Sequence, residues 1–210
     1  MKKLLGVLIV AATLVSSTFA VGLSLGGRGL MGGRLDTVQN LKTNKGEGLS
    51  YGGGAYVNLE LFAGLGAQAE ANFVANKLPS GNTITLIDLP IMGWYSLNLF
   101  DLFEIGLGVG PNFSNTFTDF STLISDPPTK KNVEGVSTWN TGIAVGANFK
   151  IHFGKHWGLV LGANAVFDLT TNEIFEALAQ ENKTDALFGS SQDGKRKEIY
   201  GTIGVDIRLF

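Results

Sequence analysis

The chain has 210 residues, with 16 Lys and Arg against 18 Asp and Glu and no Cys. A formal net charge of -2 provides no basic stripe for nucleic acid, and the lack of Cys excludes disulfides and thiolate metal sites. Glycine is abundant, at 29 residues, but carries no triplet period, so a collagen-like chain is excluded as well.

The N-terminal stretch MKKLLGVLIVAATLVSSTFA reads as a secretory signal peptide. Lys2 and Lys3 precede an apolar run from Leu4 to Val15, and Thr18-Phe19-Ala20 places small residues at the two positions a signal peptidase reads. The run is shorter than the ~20 residues a membrane-spanning helix needs. The predicted organisation is a leader over 1–20, cleaved near Ala20, and one exported domain over 21–210.

From Val21 onward the sequence alternates, which predicts strands. Val21 to Met31 sets Val21, Leu23 and Leu25 against Gly22, Ser24, Gly26 and Arg28. Ser50 to Leu61 sets Tyr51, Val57 and Leu59 against Gly54, Asn58 and Glu60. Ala63 to Ala75 sets Leu65, Ala69 and Phe73 against Gln68, Glu70 and Asn72. Ile84 to Leu99 sets Ile87, Leu89, Ile91 and Tyr95 against Asp88, Ser96 and Asn98, but Ile84, Leu86, Met92 and Trp94 fall on its polar side. Phe103 to Phe117 sets Ile105, Leu107 and Phe113 against Glu104, Gly108 and Asn112. Trp139 to Phe153 has the longest clean alternation, with Ile143, Val145 and Phe149 against Asn148, Lys150 and His152. Trp157 to Leu169 and Ile199 to Leu209 complete a set of eight. Soluble strands average ~5–6 residues, whereas a membrane-crossing strand needs ~9–11.

The connections alternate in length. Those near Phe62–Gly64, Phe100–Leu102 and Gly154–His156 are short, and those over 32–49, 76–83, 118–136 and 170–198 are longer. Short and long connections therefore fall at opposite ends of an even, antiparallel set, which is the layout of a barrel with short periplasmic turns and long outer loops. In the last long connection, Ile174, Phe175, Leu178 and Ala179 sit at helical spacing and predict a short amphipathic helix. Pro127–Lys131 predicts a turn in the third long connection.

Alternation alone does not say which face is inside, because a soluble barrel would turn its apolar set inward. The polar set here is mostly Gly and Asn with isolated charges, which suits the narrow interior of eight strands. Aromatics of the apolar set gather in two bands: Phe103, Phe149, Phe153 and Trp157 toward the short turns, and Tyr51, Phe73, Phe113, Phe117, Trp139 and Phe167 toward the long connections. Such bands mark the two interfaces of a bilayer. The predicted fold is all-β, an eight-stranded antiparallel up-and-down transmembrane barrel.

With its leader, eight amphipathic strands and terminal Phe210, the mature chain resembles the small outer-membrane barrels of Gram-negative bacteria, the group of the OmpA transmembrane domain, OmpX and OmpW. The resemblance is architectural and names no subfamily. It implies the outer membrane as location, outer-membrane lipids as surroundings, and the barrel-assembly machinery as a partner that reads Phe210. In this chain Phe210 stands one step out of phase with Ile203, Val205, Ile207 and Leu209.

Inside the barrel the phase places Arg28, Lys150 and Arg208 with Glu60, Glu70, Asp88, Glu104 and Asp206. Unpaired charges in a narrow lumen are costly, so these are expected to form a network, with Glu104 and Lys150 as one pair. Leu86, Met92 and Trp94 are candidates for a small apolar pocket, as the resemblance to OmpW implies. Both histidines lie at the short-turn end, His152 on a strand facing inward and His156 on a turn, so they share no face and no metal site is expected. Enzymes among small outer-membrane barrels carry His and Ser at the outer rim. Neither histidine here can reach that rim, so no catalysis and no cofactor are expected. The expected function is display of surface loops to a host or extracellular ligand, or envelope stability, by a monomer. A passive channel for small apolar solutes is the alternative.

Overall fold

The computed structural model describes residues 22–34, 49–62, 64–77, 83–99, 102–117, 139–170 and 195–209. Within them the chain forms eight strands: β1 (Gly22–Arg34), β2 (Leu49–Phe62), β3 (Leu65–Lys77), β4 (Thr83–Leu99), β5 (Phe103–Thr116), β6 (Trp139–Phe153), β7 (Trp157–Asp168) and β8 (Lys197–Arg208). Each pairs antiparallel with its sequence neighbours, and β8 pairs with β1 to close the barrel. Closure leaves no sheet edge, so the strands pair their main-chain polar groups with one another instead of with water.

Strands of 12 to 17 residues follow from the unbroken period of two. The observed ends differ modestly from those read in the sequence. β1 runs on to Arg34, and β8 begins at Lys197, two residues before Ile199. β5 stops at Thr116, which leaves Phe117 just beyond the strand. The signal peptide, the helix expected near Ile174, the turn at Pro127 and Phe210 all lie outside the described residues.

Two short turns owe their shape to glycine. Gly64 and Gly154 adopt φ of 79° and 76°, a left-handed conformation that costs a residue with a Cβ but not glycine. Gly64 also accepts a hydrogen bond from Ser96 N at 2.7 Å. The β3–β4 ladder jumps from Ala69↔Ile91 to Asn72↔Asp88, and the gap contains Pro90, which has no N–H to donate.

The barrel is inverted relative to a soluble protein. Its buried residues comprise 22 polar or charged against 11 apolar ones among those described. Leu107, Val109, Ile203, Leu97 and Ile91 lie more than half exposed or close to it on the outer wall. An apolar wall of that extent would drive association in water, whereas in lipid it is solvated.

Candidate functional site

Side chains fill the lumen in clusters, because the inward positions of adjacent strands fall level with one another. At the long-connection end Arg196, which immediately precedes β8, is 1% exposed. Its Nη1 donates to Asp88 Oδ2 at 3.2 Å, and its Nη2 donates to Asp88 Oδ1 and to Ser114 Oγ. Glu198 Oε2 lies 3.3 Å from Nη1, and Asp168 Oδ2 lies 3.6 Å from Nε. One guanidinium thus faces three carboxylates. Each carboxylate also has a neutral donor: Asn112 for Asp88 at 3.1 Å, Asn140 for Asp168 at 2.7 Å, and the Tyr200 hydroxyl for Glu198.

Midway along the barrel Arg28 pairs with Glu70. Gln68, Asn72 and Asn164 donate to the same carboxylate, at 2.6, 2.9 and 3.2 Å. The Arg28 guanidinium also lies 5.7 Å from the centre of the Tyr56 ring, a cation–π distance. Tyr56 continues toward the short turns, where its hydroxyl donates to Asp206 Oδ1 at 2.8 Å.

At the short-turn end the hub is Glu104, a β5 carboxylate 1% exposed. Lys150 lies 3.3 Å from it and 3.5 Å from Asp206. His152 Nε2 approaches Glu104 at 3.3 Å, and Arg208 Nη2 at 3.5 Å. The His152 contact is within ion-pair reach but is not aligned as a hydrogen bond. Ser96 Oγ donates to Glu104 Oε1 at 2.9 Å.

Apolar packing separates these ends on the β4–β6 side. Trp94 lies flat across Gly106 and Gly108 of β5, where a Cβ would overlap the indole, and beside Gly146 of β6. These glycines are a seat for the ring, and Met92 and Ala144 complete the cluster.

The sequence places seven of its eight lumenal charges in these clusters. Glu60 is the exception. It is half-buried at the short-turn end and has no ion pair among the described residues. The expectation of one network is corrected to three clusters, two of them linked through Tyr56. The apolar pocket is corrected too. Leu86 packs with Leu30, Val74, Val166 and Tyr200, whereas Met92 and Trp94 belong to the other cluster. Eight residues of strand separate Leu86 from Trp94, roughly 26 Å, so the three cannot line one small cavity. The set expected from the sequence does not include Arg196, Asp168 or Glu198. The even phase of Tyr200 extended backward would have reached Glu198 and Arg196.

On the outer wall, Tyr51, Phe73, Phe113, Phe117 and Trp139 are exposed and Phe167 is partly so, all toward the long connections. Toward the short turns Phe153 and Trp157 are exposed, and Phe103 stacks on Phe149 with centroids 5.6 Å apart. His156 sits exposed on the turn, 3.2 Å from the Arg208 carbonyl.

The family model of the outer membrane protein beta-barrel domain matches residues 4–186. Among solved structures, Neisserial surface protein A is similar, at 8% identity and a TM-score of 0.52, over 89% of this chain and 96% of that one. The outer membrane protein OprG of Pseudomonas aeruginosa aligns at 13% identity and a TM-score of 0.47, over 90% and 95%. Ail, the attachment invasion locus protein of Yersinia pestis, solved with the heparin analogue sucrose octasulfate, aligns at 10% identity and 0.43, over 90% and 97%. No curated protein matches the chain.

Proposed function

The chain belongs to the outer membrane protein beta-barrel family, and from that premise we propose that it is a non-catalytic barrel with a closed lumen that presents its long connections at the cell surface. The observation that carries this reading is the lumen. Arg28, Lys150, Arg196 and Arg208 are all neutralised by carboxylates, and the Trp94 ring lies in the lumen over the glycines of β5 and β6. An interior filled in this way favours a rigid support over a conduit. By the usual arrangement of such barrels the short turns face the periplasm and the long connections face outward.

Two further features support the reading. Both histidines lie at the short-turn end, away from the outer rim where an envelope enzyme would meet its lipid substrate. The residues expected to form an apolar pocket fall into two separate packed clusters, which weighs against passage of apolar solutes. Shortening the connections over 118–136 and 171–194 tests the display. Cells carrying the shortened protein should lose binding to host matrix while the barrel keeps its heat-modifiable migration. Unchanged binding with a folded barrel would contradict display and leave envelope stability as the role.

A further inference from the structure

We propose that Arg196 is a latch that holds the root of β8 against β4 and β7 from inside the lumen, and that its surplus of carboxylate partners makes the latch redundant. The main chain of Arg196 contributes directly. Asp168 N donates to its carbonyl at 2.9 Å, and its own N–H donates to Asp168 Oδ2 at 3.3 Å. These bonds extend the β7–β8 ladder past its last register pair, Phe167↔Lys197. The side chain then crosses to β4 and β5 through Asp88 and Ser114. A single residue thus ties four strands at the point where the chain leaves β7 and returns as β8.

The redundancy follows from charge. Three carboxylates surround one guanidinium and repel one another, so neutralising one removes repulsion along with attraction. Each also keeps its own neutral donor, Asn112, Asn140 or Tyr200, so the loss of one ion pair does not free its strand. Removing the guanidinium is a different change. It leaves three buried carboxylates with no cation among the described residues of the cluster. The latch depends on what lies inside the lumen and is independent of anything the connections bind.

Amide hydrogen exchange on the full-length folded protein in detergent micelles tests the proposal. Arg196→Met should speed exchange at Asp168 and Leu169 roughly a hundredfold, as loss of a buried charge partner implies. Amides at the short-turn end, such as His152, should keep their protection. Asp168→Asn and Glu198→Gln should each change the Asp168 and Leu169 rates by less than about threefold. If Arg196→Met fails to fold, the triple variant Asp88→Asn, Arg196→Met, Glu198→Gln removes most of the stranded charge and should fold with the same fast exchange. Wild-type protection at Asp168 in either variant would overturn the latch, and so would an Asp168→Asn effect as large as that of Arg196→Met.

Discussion

The two ends of the lumen are near mirror images in charge. At the long-connection end one cation, Arg196, is surrounded by three carboxylates. At the short-turn end one carboxylate, Glu104, is approached by three nitrogen groups, from Lys150, His152 and Arg208. The difference lies in what surrounds each hub. Asp88, Asp168 and Glu198 are almost fully buried, whereas the Arg208 side chain is 37% exposed and can turn to water. Neutralising a carboxylate should therefore have unequal effects at the two ends, because it is the hub at the short-turn end and one of three partners at the other.

Among carboxylate and aromatic substitutions, the largest expected effect is at the short-turn hub. Glu104→Gln should destabilise the barrel by roughly 3 kcal/mol, the low end for a broken buried pair, since Lys150 keeps Asp206. Urea unfolding followed by the folded band on a gel would measure it. Trp94→Ala should cost about 3 kcal/mol by the same assay, because glycine strands cannot collapse to fill the vacated seat. A cost close to zero there would mean that the two ends do not depend on the apolar layer between them.

Tyr56→Phe should cost about 1–2 kcal/mol, since it leaves Asp206 without its hydroxyl donor. The matching change at the other end sharpens the contrast. Asp168→Asn should alter the urea midpoint by less than about 1 kcal/mol, because Arg196 retains two carboxylates. If Asp168→Asn proved as damaging as Glu104→Gln, the hub comparison would be wrong. The smallest effect should be that of Arg208→Gln, below about 1 kcal/mol, as a partly exposed ion pair is screened by water.

The sequence made the strands legible because lipid and lumen impose opposite polarities on alternate residues, over fifteen residues in β6. It also showed which residues face inward, Trp94 and Lys150 among them. It did not show which inward residues meet. Neighbours in the lumen are set by register between strands, such as Glu104↔Lys150, and by position along the axis, which separates Leu86 from Trp94. The Arg196 cluster was hidden for a local reason. Lys197 occupies the outward phase beside Phe167, and a charge there masks the alternation that continues to Arg196.

The central claim is that the folded barrel is closed. Planar-bilayer recording of the purified, heat-modifiable protein tests it most directly. A closed lumen, with the ion pairs and the Trp94 seat intact, should give no conductance steps at neutral pH. Steady, reproducible steps from folded protein would contradict it and make the barrel a channel.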